Sequence, residues 1–180
     1  NLAGIYLHGS AAFGCFRWQT SDIDLLVAVH APPSSCQKEG LVRTLLAQGT
    51  AAPPAGFEMS VVLVRYCRQV VWPVPYELHF SNMHRASFEK DLSAACARIH
   101  GTDKDLAAHF AVTRAAGVTL WGESPRTMFC AIPPGAYKAA ILYDAATAVQ
   151  DAGPKPVQVV LNLCRALAFW RQGLVLSKQQ

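Results

Sequence analysis

The stretch IYLHGSAAFGCFRWQTSDIDLLVAV, residues 5–29, constrains this chain more than any other part of it. It reads as an apolar strand, a glycine turn, the start of a helix, and a second apolar strand that opens on two carboxylates. Successive side chains of a strand point to opposite faces, so Asp22 and Asp24 project together from one face while Ile23 turns to the other. Two carboxylates at that spacing repel each other unless a cation lies between them, and Mg²⁺ is the usual choice where phosphates supply the remaining ligands. Gly9 lets the backbone approach a triphosphate closely, and Ser10 offers a hydroxyl. The amides at the start of the following helix add partial positive charge. A lone Asp-x-Asp is more often a solvated face, and a lone Gly-Ser more often a turn. Their combination, with a strand on each side, predicts a metal-dependent phosphate site.

With 180 residues, 52% of them apolar and 16% charged, the chain has ample material for a buried core in one domain or two small ones. Its net charge of +4 suits a polyanionic nucleotide, but no run of Lys and Arg marks a nucleic-acid groove. Cys15, Cys36, Cys67, Cys96, Cys130 and Cys164 stand singly, without the spacing of a zinc site or a disulfide framework, which fits a reducing cytoplasm. No apolar run has the length of a membrane span, and no signal peptide precedes the first strand. The chain opens directly into a strand and ends on Ser177-Lys178-Gln179-Gln180 just after a helical segment, so a fragment of a longer protein is expected.

The first half reads as α/β. Ile5 to Leu7 is a short strand, Ala11 to Phe16 a helix start, and Ile23 to Val29 a strand apolar enough to be central. Pro32-Pro33 stops it, and Leu41, Val42, Leu45 and Leu46 give Cys36 to Gln48 a helical stripe. Phe57 to Arg65 reads as a third strand, with Glu58 on the same face as Ser60, Val62 and Val64. Glu58 is therefore a candidate third carboxylate. Pro73 and Pro75 precede a short extended piece, Tyr76 to Phe80, which carries Glu77. Asp103 to Ala116 is an expected amphipathic helix with Thr102 or Asp103 as N-cap, and Val118 to Trp121 a short strand or turn. Tyr137 to Ala152 and Val157 to Arg171 are expected helices, with a domain boundary near Pro133-Pro134.

The first half resembles the nucleotidyltransferase superfamily that includes DNA polymerase beta, whose pattern is Gly-Ser, about a dozen residues, Asp-x-Asp, then an acid on a later strand. The phrases YLHGSA, SDIDLLV, FEMSVV, YELHF, DLAAHFAVTRAAGVTLWG and VVLNLCRALAFWRQGLVLSK together resemble the bacterial aminoglycoside nucleotidyltransferases. That family adenylylates streptomycin at the 3''-hydroxyl and spectinomycin at the 9-hydroxyl. The resemblance implies an N-terminal nucleotidyltransferase domain with a mixed sheet and flanking helices over residues 1–133, and the start of a C-terminal helical domain over 134–180. Family members carry a further N-terminal helix and a longer C-terminal bundle.

The family's roles carry over by position. Gly9 and Ser10 match its phosphate-binding pair, Asp22 and Asp24 its Mg²⁺ ligands, and Glu58 its third acid, which sits beside the metals as general base on the attacking hydroxyl. Arg165 and Lys178 match an arginine and a lysine that reach the nucleotide phosphates. The implied partners are ATP and a small antibiotic, with no nucleic acid and no membrane, acted on by a cytoplasmic monomer. The acceptor region departs from the family pattern: Thr147 to Pro156 has no tryptophan, Asp151 is the stand-in for an aspartate, and Met83 replaces an aromatic. Glu58, Glu77 and Asp151 are the acids available to a cationic acceptor, and spectinomycin is expected ahead of streptomycin.

A hydroxyl needs a base to attack phosphorus and cations to offset the charge on the transferring group, which Glu58 and the aspartate pair would provide. Other residues have plainer readings. Glu77 and His79 lie in a phrase between prolines that is more often structural; Asp105 reads as a helix-capping acid that could also line the cleft, and His109 as a satisfied, partly buried side chain. His8 could contact phosphate or only orient the strand end. Trp72, Trp121 and Trp170 read as packing residues, and Cys15 and Cys164 as small buried hydrophobes. Two other classes stay open: a transferase acting on a protein or tRNA, and an inactive nucleotide-binding module.

Overall fold

The computed structural model describes residues 1–150 and 156–176. The elements run β1 (Leu2–Leu7), α1 (Gly9–Ala12), β2 (Ile23–Val29), α2 (Ser35–Ala47), β3 (Phe57–Leu63), α3 (Val64–Arg68), β4 (Val74–Tyr76) and β5 (Leu78–Phe80). They continue as α4 (Asn82–Lys90), α5 (Leu92–Arg98), β6 (Gly101–Asp103), α6 (Leu106–Ala116), β7 (Val118–Gly122), α7 (Pro125–Met128), α8 (Pro134–Gln150) and α9 (Pro156–Gln172). Five strands form a mixed sheet in the order β5-β3-β2-β1-β7, and β4 and β6 form a separate ribbon. Among the described residues only β2 and β3 pair in parallel, joined by the crossover helix α2, and the other strand pairs are antiparallel.

The apolar strand β2 is central, as its composition requires. Its alternation, with that of β3, divides the core in two. Leu26, Ala28 and Val62 face α6 and α8, packing with Tyr6, Leu106, Phe110, Phe129, Tyr137 and Ile141. Val27, Val29, Met59, Val61 and Leu63 face the other way, onto Val42 and Leu45 of α2, Phe88 of α4, and Ala95 and Cys96 of α5. By the same two-residue period Asp24 and Glu58 stand on the α6 side, at the end of the sheet where β2 and β3 begin. Ser34 starts α2 with a reciprocal capping box to Gln37.

The expected α/β class and mixed sheet are present, with several boundaries moved. β3 ends at Leu63, and Val64, expected on that strand, begins α3. The piece Tyr76 to Phe80 is split: Tyr76 ends the ribbon strand β4, while β5 adds to the main sheet beside β3. Residues 101–103 pair with β4 rather than opening a helix, so α6 begins at Leu106, not at Asp103. The helix after Gly9 is a single turn over Gly9–Ala12 instead of Ala11 to Phe16. Helices α4 and α5 fill a stretch for which no element is expected from the sequence pattern. Trp72, Trp121 and Trp170 are exposed rather than packed inside: Trp72 Nε1 donates to the Lys104 carbonyl at 3.0 Å, and the Lys138 ammonium lies 3.4 Å from the Trp170 ring centroid. Among the described residues no helix is long and apolar enough to cross a membrane.

Candidate active site

The parallel register of β2 and β3 sets Asp24 directly beside Glu58. Asp22 lies one residue ahead of β2, where the Ile23 amide donates to the Gly56 carbonyl at 2.9 Å and fixes the entry of the strand. Asp22, Asp24 and Glu58 each offer one carboxylate oxygen, and these oxygens all lie within 4.8 Å of one another. All three are half-buried. Burial pushes the Glu58 carboxyl above its ordinary pKa; His109 pulls it down, while Asp22, Asp105 and Asp103 push it up further. Three hard oxygen donors with mutual repulsion and partial desolvation are the donor set that suits a divalent cation such as Mg²⁺.

Beside the acids, β1 ends at Leu7 and its chain passes through His8 to Gly9, whose φ is +60°. The His8 amide donates to the Asp24 carbonyl at 3.0 Å, tying this turn to β2. A Cβ on Gly9 would overlap the Asp24 carboxylate, so glycine is required here by the neighbouring acid as well as by the backbone angle. The Ser10 hydroxyl oxygen is buried without a hydrogen-bond partner among the described residues, an orphan that suits a phosphate oxygen as its ligand. A one-turn α1 carries little macrodipole, which leaves the local amides and this hydroxyl as the available donors.

Above the acids, α6 presents a histidine. Burial would lower the His109 pKa, but the Asp105 carboxylate at 3.2 Å from Nε2, with Glu58 and Asp24 beyond it, pushes it up to about 10. Asp105 therefore spends its carboxylate on His109 and makes no side-chain cap to α6. The His8 ring packs at 5.1 Å from the His109 ring and is held neutral, its pKa well below the ordinary value because of burial and the His109 charge.

Residues 127–180 match the family model described as aminoglycoside adenylyltransferase, C-terminal domain. Across 190 aligned residues the chain is 25% identical to spectinomycin 9-adenylyltransferase of Staphylococcus aureus, covering 99% of this chain and 68% of that protein. Both matches are to adenylyltransferases, the first over the C-terminal part of the chain and the second over nearly all of it. The fold agrees. The crystal structure of spectinomycin adenyltransferase AAD(9) from Enterococcus faecialis, with ATP and spectinomycin, superposes with a TM-score of 0.81 over 99% of this chain and 72% of that one, at 18% identity.

Of the remaining positions carried over from the nucleotidyltransferase family, Arg165 and Glu77 are among the described residues. Arg165 of α9 is half-buried, and its Nε donates to the Leu176 carbonyl at 3.1 Å. The Tyr137 phenol is raised by burial, lowered by Arg165 and raised by Asp105, which sets the guanidinium in the field of Tyr137 on α8. Glu77 sits between β4 and β5, its amide donating to the Val61 carbonyl at 2.8 Å. Lys178 and Asp151 lie outside the described residues. Asp103, expected as a helix cap, lies instead on the strand β6, and His79, expected in a structural phrase, pairs through Nδ1 with Ser60 Oγ at 2.9 Å. The sequence signal for a further role of Asp103 is Asp103-Lys104-Asp105, a second Asp-x-Asp.

Proposed function

We propose that the protein transfers AMP from ATP to a hydroxyl of an aminoglycoside or aminocyclitol antibiotic, with spectinomycin as the foremost acceptor. The observation that carries this reading is the side-by-side register of Asp24 and Glu58, with Asp22 completing three carboxylate oxygens within 4.8 Å next to the Gly9-Ser10 turn. The spectinomycin adenylyltransferases to which the chain is similar supply the acceptor class.

Asp22, Asp24 and Glu58 would hold Mg²⁺, which supplies charge neutralisation at the transferring phosphate when bound. Gly9 and Ser10 receive the triphosphate, the hydroxyl of Ser10 donating to a phosphate oxygen. Glu58, beside Asp24 in the register of the two strands, takes the proton of the acceptor hydroxyl as general base. Arg165 and Lys178 neutralise the departing pyrophosphate. In this reading residues 1–133 bear the acids and the phosphate turn, and residues 134–180 open the helical domain.

The test is to incubate the purified protein with ATP, Mg²⁺ and either spectinomycin or streptomycin, and to follow pyrophosphate and the mass of the drug. The expected result is pyrophosphate release with a gain of one adenylyl group on spectinomycin. Pyrophosphate release with no modified drug across an aminoglycoside panel would reject the antibiotic reading in favour of a macromolecular acceptor; no release at all would support an inactive module.

A further inference from the structure

The ribbon of β4 and β6 stands next to the acids and has no part in the chemistry described so far. Val74 pairs with Asp103 and Tyr76 with Gly101, so Asp103 and Tyr76 share the face on which Val74 is fully buried in the core. The Tyr76 ring lies 6.0 Å from the ring of His79, whose Nδ1 is 2.9 Å from Ser60 Oγ. Ser60 is two residues beyond Glu58 on the same face of β3. A continuous wall therefore runs from Glu58 through Ser60 and His79 to Tyr76 and Asp103. Its far end is electrostatically coupled to the centre: Asp103 helps raise Tyr76, which burial raises first, and helps raise Glu58.

The sheet order separates this wall from the phosphate turn. Gly9 and Ser10 follow β1 on one side of β2, whereas β3 and β5 lie on the other. A triphosphate on the first side leaves the second for the acceptor, and the Asp103 carboxylate would repel phosphate there. Among the described residues Asp103 has no ion-pair partner; its Oδ1 accepts the Asp105 amide at 2.8 Å. His79 is neutral, its pKa pushed down to about 4 by burial and by His84, so it does not repel a cation.

We propose that Tyr76, His79 and Asp103 form the acceptor subsite, with Asp103 as counter-ion to an ammonium group of a cyclic amino-alcohol and the two rings as the surface on which its cyclic body rests. This rests on the antibiotic-acceptor reading above and names the residues that would enforce it.

The test compares wild type with Asp103→Asn, which keeps an oxygen for the Asp105 amide and so the entry to α6. With spectinomycin as acceptor, KM for the drug rises about tenfold or more on loss of one charge-assisted contact. KM for ATP and the melting temperature stay at their wild-type values. Acetylating the amines of spectinomycin weakens its binding to wild type, measured by calorimetry without ATP, and changes its binding to Asp103→Asn far less. An unchanged drug KM in the variant, or a parallel rise in KM for ATP, overturns the subsite while leaving the transferase reading intact. A wild-type protein that modifies no antibiotic and binds none overturns both.

Discussion

Gly9 and Asp24 exclude one another's side chains: the space that a Cβ on Gly9 would take is filled by the Asp24 carboxylate, on a backbone whose φ is +60°. The Gly9-Ser10 turn and the Asp24 carboxylate are thus one packing unit. Gly9→Ala must displace Asp24 as well as strain the turn, and a misplacement on the order of 1 Å at such a centre costs about a hundredfold in rate. The expected result is a loss of that size in kcat. A variant with wild-type kcat would show that Asp24 does not need its observed position.

Glu58 is the proposed base, so Glu58→Gln is expected to lower kcat by roughly 10²–10⁴-fold, the range general-base catalysis supplies, while the protein stays folded. In the metal-free protein burial raises its pKa, so protons compete with Mg²⁺ for this carboxylate and the Mg²⁺ concentration needed for half-maximal activity should rise as the pH falls. Removing divalent cations with EDTA should abolish turnover, and added Mg²⁺ should restore it.

His109 gives the fold a pH signature. Its pKa is raised to about 10, after burial, by Asp105, Glu58 and Asp24, against an ordinary value of 6.5. The charged form is thus favoured by folding. Its contribution is fully present below the unfolded pKa and is lost as pH rises through the folded one. Thermal melts of the metal-free protein should therefore show stability falling between about pH 6.5 and 10 in wild type, and a flatter profile over that window in His109→Gln. Identical slopes would contradict the assignment.

Phe110 is fully buried between the sheet and α8, with its ring 5.1 Å from Phe129. Phe110→Ala should cost about 3–5 kcal/mol in urea unfolding, the usual range for a core phenylalanine. A loss below about 1 kcal/mol would mean that α6 is not part of the same core as the sheet.

The central features of the site were readable because they rest on short-range rules. Strand alternation put Asp22 and Asp24 on one face and Glu58 on the face of Ser60, and the apolar run of β2 announced a central strand. What the sequence concealed depends on distant partners. Residues 101–103 look like the start of α6, but pairing with β4 keeps them extended, and only that ribbon brings Asp103 toward Glu58. Helices α4 and α5 are short, and each buries few side chains, Phe88 in one and Ala95 and Cys96 in the other, too few to mark a period. Asp105 resembles a capping acid in sequence, yet His109 one turn later takes its carboxylate. The exposed position of Trp121 follows from β7 being an edge strand, which local composition does not reveal.

The most direct measurement is transfer of label from ATP marked at the α-phosphorus to spectinomycin, run side by side with wild type and Asp24→Asn. The account predicts labelled drug with wild type in the presence of Mg²⁺ and none above background with the variant. Equal labelling by both proteins would show that the acids of β2 and β3 are not where the chemistry takes place.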